Sequence, residues 1–309
     1  MKKIALLFCI FLCSFSLSAE IIKVMSFNVQ GYSNHNHRAS VNNVWLTQIC
    51  SIIQKSQADI VLLQEFAVED ERDINPVLEK LGNNWQYFCS NKYIEKGRAF
   101  SRDQNNIIFF NNRIIIPTSN KDDGIVNFSA QNLKYKFSKN NTQIVEFCIS
   151  GKESEKFLVI NVHLPTKKTN ETIQAKDLEL LDCLYKDLTN RKYKFIIGGD
   201  FNKTKKTLPY DGRFQNAMID SENKYFQGLP TWFPQKDLDS TTLNPLVDLD
   251  HFIIYDIKIH KEIRHPFRDS SDYRGPYGNL PIGKKTYTRS KEFIKDISDH
   301  FPIIIELEV

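Results

Sequence analysis

Short apolar segments that end in polar side chains recur along this chain, and they constrain its fold more than any other feature. Clear examples are IIKVMSFNV at 21–29, DIVLLQE at 59–65, FLVINVHL at 157–164 and YKFIIGGDFN at 193–202. Short apolar runs bounded by polar or turn residues are typical of buried β-strands. Their repetition predicts a protein built mainly on β-sheets.

Only a few segments between these strands have helical spacing. Apolar residues recur at helical intervals over 41–56 and on one face of 171–188, and Gly82 ends a short helix predicted over 75–82. Further strands are predicted at 85–89, 106–110, 144–149, 249–256 and 300–309. Strands in succession with few helices favour an α/β sandwich.

The composition is that of one globular domain. The chain has 309 residues, of which 41% are hydrophobic and 25% are charged. No repeat and no Gly/Pro/Ser-rich linker divides it, so we predict one domain over 20–309. The least regular segment is 262–292, and its length is typical of a functional loop.

The N-terminus has the layout of a secretory signal peptide over 1–19. Lys2 and Lys3 precede the apolar stretch 4–12, and small residues follow up to Ala19. This predicts a secreted or periplasmic protein, with a retained N-terminal anchor as the alternative. Loss of the two lysines lowers the formal charge from +4 to +2. Such a weak net charge neither indicates nor excludes a nucleic-acid substrate.

Four cysteines remain after the predicted cleavage, and their spacing matches no zinc motif. In an exported protein they are either disulfide partners or small buried hydrophobic residues. They are Cys50, Cys89, Cys148 and Cys183.

Acidic, amide and imidazole side chains lie at the ends of the predicted strands. If the last two strands run opposite to the earlier ones, all of these groups meet at one edge of the sandwich. They are Asn28, Glu65, His163, Asp200, Asn202, Asp250, Asp299 and His300. Carboxylates that share a small space repel one another unless a cation lies among them.

This set of side chains suits attack by water on a phosphate ester. Carboxylate and amide oxygens favour Mg²⁺, with Mn²⁺ or Ca²⁺ as alternatives, and histidines move protons near neutral pH. Asp200 could hold the attacking water, and Asn202 could donate its amide to a phosphoryl oxygen. The glycines before Asp200 would allow the tight turn, and Phe201 would anchor that turn in the core.

Six ordered segments resemble the endonuclease/exonuclease/phosphatase superfamily, the deoxyribonuclease I-like hydrolases. They are SFNVQG (26–31), ADIVLLQE (58–65), NVHL (161–164), GGDFN (198–202), DLDHFII (248–254) and SDHFP (298–302). The resemblance implies a four-layer α/β/β/α sandwich of two mainly antiparallel sheets, with the site at their upper edge. NVQG and SDHFP, with the export signal, are also similar to the active subunit of cytolethal distending toxins.

The resemblance also implies a role for each residue at the strand ends. Asn28 and Glu65 would bind the divalent cation, and Asp299 would contribute to a metal site. His163 and His300 would contact the scissile phosphate and act as general acid and base, or stabilise it electrostatically.

Three further assignments complete the implied site. Asp200 would orient the water, Asn202 would orient the phosphate, and Asp250 would hold the imidazole of His300. The chain departs from the family pattern at Asp248, where members often have arginine, and at His251, where they often have tyrosine.

The same catalytic residues can serve several substrates, and the loops around the site select among them. The first hypothesis is a secreted, metal-dependent endonuclease acting on DNA. The alternatives are a phosphodiesterase or phosphatase acting on phospholipids, and an inactive binding or toxin-scaffold protein that has kept the fold. A basic groove would favour nucleic acid, and an apolar hairpin would favour a membrane substrate. No feature of the sequence indicates an obligate protein partner.

Overall fold

The structure is a computed structural model, and it describes residues 20–29, 44–66, 74–89, 105–118, 142–165, 167–202, 250–263 and 302–309. The predicted signal peptide, the greater part of the loop predicted over 262–292, and both Asp299 and His300 lie outside these residues.

Within the described ranges, the first sheet has six strands in the order β10-β11-β1-β2-β4-β3. Only β1 and β2 run parallel, and the other neighbours are antiparallel. The strands are β1 (Ile21–Asn28), β2 (Ile60–Phe66), β3 (Trp85–Cys89), β4 (Asn105–Asn111), β10 (Lys258–Ile263) and β11 (Ile303–Glu308).

The second sheet has five strands in the part of the chain that the structure describes, in the order β5-β6-β7-β8-β9. Only β7 and β8 run parallel. The strands are β5 (Ile115–Pro117), β6 (Thr142–Ile149), β7 (Lys152–His163), β8 (Phe195–Asp200) and β9 (Asp250–Tyr255).

Three helices of the described residues cover the outer faces of the two sheets. The apolar face of α1 (Val44–Ser56) packs on the first sheet together with Val77 of α2 (Asn75–Leu81). The leucines of α3 (Lys167–Asn190) pack on the second sheet. The predicted four-layer α/β/β/α sandwich of two mainly antiparallel sheets is therefore confirmed.

The alternation of side chains along each strand builds the three apolar layers. In β7, Leu158 and Ile160 face α3, whereas Phe157 and Val159 face the first sheet. Strands buried on both faces read as continuous apolar runs, which is why the sequence shows so little polar alternation here.

Two strands were missed in the sequence, and both have polar or very short sequences. β5 has only three residues, and β10 reads KIHKEI. The irregular segment predicted from 262 therefore begins inside β10. The predicted helix over 171–188 is longer in the structure, at 167–190.

No disulfide joins the four cysteines left after the predicted cleavage, all of which lie in described segments. The structure therefore favours the alternative of small hydrophobic residues for the three that are buried. Cys50, Cys89 and Cys148 are buried. Burial raises the pKa of the Cys50 thiol to about 11, and it also raises the pKa of Cys148. Among the described helices, none is both long and apolar enough to span a membrane.

Candidate active site

The strand directions bring most of the predicted site residues to one edge of the sandwich. β1 and β2 are parallel, so Asn28 and Glu65 both lie near the ends of their strands. In the second sheet His163 pairs with Asp200, and Asp200 pairs with Asp250 on antiparallel β9. The expected reversal of β9 and β11 relative to the earlier strands is therefore observed.

Four side chains from the two sheets meet at the centre of this edge. The Asn28 amide donates to Glu65 Oε1 at 3.2 Å and to Asp200 Oδ2 at 3.0 Å. His163 Nε2 lies 3.5 Å from Glu65 Oε1 and 3.8 Å from Asp200 Oδ2. Asn28, Asp200 and His163 are buried, and Glu65 is partly exposed. Residues 172 positions apart in sequence thus form one compact polar cluster.

An irregularity in β2 directs Glu65 into this cluster. The β2–β4 register shifts between Leu63 and Phe66, so Gln64 and Glu65 together face a single residue of β4. Glu65 has a left-handed backbone with φ of 55°. In a regular strand its side chain would follow Leu63 towards α1. The bulge turns the carboxylate inwards, at a cost of about 1–3 kcal/mol that the surrounding contacts must offset.

The two glycines before Asp200 permit close packing around β8. A Cβ on Gly198 would lie 2.6 Å from the Phe252 ring and 2.7 Å from Leu62. A Cβ on Gly199, where φ is +149°, would lie 1.9 Å from the carbonyl oxygen of Val162. Side chains at these positions would push β8 away from both neighbours, and Asp200 would move with it.

The turn after Asp200 is held by its own polar groups. The Asn202 backbone N–H donates to Asp200 Oδ1 at 2.7 Å, and the Asn202 side-chain amide donates to the Leu164 carbonyl at 2.7 Å. Asn202 has φ of 48°, a conformation that asparagine tolerates well. In this conformation the amide predicted to bind the phosphate is bonded to the main chain.

Gln174 of α3 supports the same turn, and sequence reasoning missed it. Its amide donates to the carbonyls of Pro165 at 2.6 Å and Asn202 at 3.1 Å. It therefore links the segment after His163 to the segment after Asp200. The sequence gave no sign of this role, because the contact depends on where Gln174 of α3 lies relative to the ends of β7 and β8.

The predicted pairing of Asp250 with His300 stays a prediction, since His300 and Asp299 lie outside the described residues. Asp250 itself is buried beside Asp200. Position 251, where the chain has histidine and family members often have tyrosine, lies in the interior. His251 is fully buried, and its ring centroid lies 5.5 Å from that of Phe201. Phe201 packs in the core under α3, as predicted for the anchor of the turn.

The donors of the cluster fit a hard divalent cation. The Asn28 amide lies within hydrogen-bonding distance of the carboxylates of both Glu65 and Asp200. Within the described ranges, no group of three acidic, histidine or cysteine residues forms a metal cage by itself. Mg²⁺ is usually bound through one or two carboxylates together with water and substrate phosphates, so such a cage is not required.

Comparison with known proteins identifies the class to which this fold and cluster belong. The sequence profile of the Endonuclease/Exonuclease/phosphatase family matches residues 25–300. The chain therefore belongs to this family, whose members hydrolyse phosphate esters, and the resemblance predicted from the six segments is confirmed. No curated protein matches the chain significantly by sequence.

Solved structures with the same fold cover nearly the whole chain. A humanized D. rerio TDP2 carrying 14 mutations has a TM-score of 0.57 at 14% identity, covering 94% of this chain and 99% of its own. D. rerio TDP2 complexed with a single-strand DNA product has a TM-score of 0.57 at 13% identity, covering 94% and 100%. The mannosyl-6-phosphatase Bt3783 of Bacteroides thetaiotaomicron has a TM-score of 0.56 at 17% identity, covering 93% and 99%. At these identities the likeness shows the fold alone.

Proposed function

We propose that this protein is a divalent-metal-dependent phosphodiesterase that hydrolyses phosphate esters by in-line attack of water. The observation that carries the proposal is the meeting of Asn28, Glu65, His163 and Asp200 between the two sheets. Acidic groups gathered beside an imidazole and an amide supply both a place for a cation and groups that move protons.

Each side chain then has a defined task. Glu65 and Asn28 would hold the cation, with Asp299 contributing from the segment before β11. When bound, the cation would neutralise phosphate charge and stabilise the developing oxyanion. Asp200 orients the attacking water, and His163 contacts the phosphate. His300, held by Asp250, acts as the second imidazole of the acid–base pair.

We assign Asn202 one role before substrate binds and another when substrate is bound. In the structure its amide bonds the Leu164 carbonyl and fixes the turn. We propose that it turns towards a phosphoryl oxygen when substrate binds, since its weaker 3.3 Å contact with Asp200 Oδ2 already lies at the cluster.

DNA is the substrate that we propose. The family includes endonucleases and exonucleases, and a structure with the same fold holds a single-strand DNA product. We also propose that Mg²⁺ is the working ion and that the protein is exported after loss of residues 1–19. N-terminal sequencing of the protein recovered outside the cytoplasm would test the export.

The substrate is tested with a panel. Purified protein is incubated with plasmid DNA, single-stranded DNA, sphingomyelin, phosphoinositides and a hexose 6-phosphate, each with Mg²⁺ and with a chelator. We expect cleavage of DNA only with Mg²⁺. Cleavage of a lipid or sugar phosphate alone would overturn the choice of DNA, and cleavage that persists in chelator would overturn the metal dependence.

The site is tested with matched variants. Glu65→Gln, His163→Ala and His300→Ala are each expected to lower the rate at least about a hundredfold. Glu179→Gln on α3 and His260→Ala on β10 make the same chemical changes at exposed positions and should leave the rate unchanged. Full activity in the site variants would refute the assignment.

A further inference from the structure

We propose that Asn161 is a positioning residue, which reaches from the second sheet to hold the irregular end of β2 and so sets the place of the Glu65 carboxylate opposite His163. The inference rests on the proposed function, because it gives Glu65 a place in a cation site. Asn161 itself touches none of the four clustered side chains through any hydrogen bond described for it.

The first observation is where the Asn161 side chain donates its hydrogen bonds. Its amide reaches the carbonyl oxygen of Leu63 at 3.0 Å and that of Ile107 at 3.1 Å. These two residues face each other in the last regular pair of the β2–β4 ladder before the bulge. One side chain of the second sheet therefore bridges both strands of the first sheet at the point where their regular pairing stops.

The second observation is that Asn161 also bonds the residues on both sides of the bulge. Its Oδ1 accepts from the Gln64 amide at 2.8 Å, and its backbone carbonyl accepts from the Asn106 amide at 3.2 Å. The bulge sets Gln64 and Glu65 against Asn106. Two of these three residues are thus bonded to Asn161, and the third is directed into the cluster.

The third observation is the position of Asn161 in β7. It lies two residues before His163, so both side chains point to the same face of the strand. Asn161 is fully buried. A single stretch of β7 therefore carries His163 and also holds the backbone that presents Glu65. The separation of 3.5 Å between these two groups is fixed through Asn161.

Supporting residues of this kind orient metal ligands, and their removal typically lowers metal affinity about 10- to 100-fold. The test is binding of Mn²⁺ to the purified protein, monitored through the electron paramagnetic resonance signal of free Mn²⁺. Each variant is measured at a temperature at which circular dichroism shows it to be folded. For Asn161→Ala we expect the Mn²⁺ dissociation constant to rise at least about tenfold.

Gln143→Ala is the matched control. Gln143 faces Asn161 in the β6–β7 pairing and is equally buried, yet neither of its side-chain atoms has a hydrogen-bond partner within the described part of the chain. It should bind Mn²⁺ like the wild type. If Asn161→Ala does not fold, Gln64→Met decides, since it removes the donor to Asn161 and keeps the side-chain length. Its dissociation constant should rise as well.

The outcomes separate this inference from the proposed function. A wild-type protein that binds no Mn²⁺ and cleaves no phosphate ester would overturn the proposed function. A wild-type protein that binds Mn²⁺, together with a folded Asn161→Ala variant that binds it equally well, would overturn only the positioning role. An equal loss in Gln143→Ala would also overturn it, because any disturbance of this layer would then suffice.

Discussion

The two ends of the space between the sheets are built from the same strands, yet they have opposite chemistry. We call one the apolar end, and its inward-facing residues include Val24, Leu62, Phe110, Val145, Phe147, Phe157, Val159, Ile196 and Phe252. We call the other the polar end, and its buried residues are Ser26, Asn28, Gln64, Asn106, Gln143, Asn161, His163, Asp200 and Asp250.

The change from one end to the other takes only a few residues along each strand. In β1, Val24 is followed at inward positions by Ser26 and Asn28, and in β7, Val159 is followed by Asn161 and His163. A regular strand keeps these residues on one face, so a rigid apolar layer directly supports the polar one. We infer that the apolar end supplies stability and that the cluster of Asn28, Glu65, His163 and Asp200 at the polar end supplies chemistry.

Phe147→Ala should cause the largest change and should act on stability alone. The ring is fully buried and lies 5.2 Å from the Phe110 ring and 6.3 Å from the Phe88 and Phe157 rings, measured between centroids. We expect the free energy of unfolding to fall by about 3–5 kcal/mol, because truncation leaves a cavity in the apolar end. Denaturant titration measures this change.

The activity of the folded Phe147→Ala protein should stay close to that of the wild type. Phe147→Leu, which leaves less empty space, is the graded control and should cost less. A large loss of activity in fully folded Phe147→Ala would show that the two ends are not separable.

Asp200→Asn is the converse substitution at the polar end. It keeps the shape of the side chain but removes the charge that we propose orients water. We expect hydrolysis to slow at least about a hundredfold. The free energy of unfolding should change by less than about 1 kcal/mol, because removal of a buried charge offsets the loss of the hydrogen bond that Asp200 Oδ2 accepts from Asn28.

The measurements for Asp200→Asn are steady-state hydrolysis and denaturant titration of the same preparation. Asp256→Asn, on an exposed turn after β9, is the control for the chemical change itself. A variant that loses stability in proportion to its activity would argue that Asp200 is structural.

The sequence was sufficient to predict the strands of the apolar end and four residues of the polar end, Asn28, His163, Asp200 and Asp250. Apolar runs such as that of β8 define buried strands, and polar residues at their ends stand out against them. The direction of each strand then decides whether those residues meet. The pattern of apolar residues around Asp200 or His163 does not show in which direction its strand runs in the sheet. Six ordered segments resolved that question through the family resemblance.

Other parts of the site could not be predicted because they depend on contacts between distant elements. The bulge at Gln64 and Glu65 leaves the sequence of β2 looking like any strand. Asn161 reads as one polar residue in an apolar run, and its role appears only when the first sheet lies opposite it. Gln174 is similar, since its partners follow β7 and β8.

Gln143→Leu extends the apolar end by one residue and so tests how much stability a polar side chain costs at the border of the two ends. A buried amide with no hydrogen-bond partner among the described residues costs about 1–3 kcal/mol in desolvation. We therefore expect the free energy of unfolding to rise by about 1 kcal/mol, with unchanged hydrolysis. Denaturant titration against the wild type measures this. A loss of stability would instead show that an ordered water bonds the amide, so that the polar side chain of Gln143 stabilises the fold.

Asp59→Asn should have the smallest effect. It tests how a buried carboxylate at the edge opposite the polar end affects stability. Asp59 precedes β2, and its carboxylate accepts from the Lys23 backbone N–H at 2.8 Å. Burial raises the pKa of Asp59, although the Lys23 N–H and the Lys23 charge partly oppose this.

A raised pKa means that the folded protein binds the proton more tightly than the unfolded chain does. The stability that comes from protonated Asp59 is therefore present below the unfolded pKa, and it is lost as the pH rises through the folded pKa. Asn mimics the protonated acid, and its oxygen can still accept from Lys23. We expect Asp59→Asn to be slightly more stable than the wild type at about pH 7 and equal to it at about pH 3. Thermal unfolding at both pH values measures the difference. A variant that is less stable at neutral pH would show that the charge on Asp59 strengthens its bond to Lys23 by more than its burial costs.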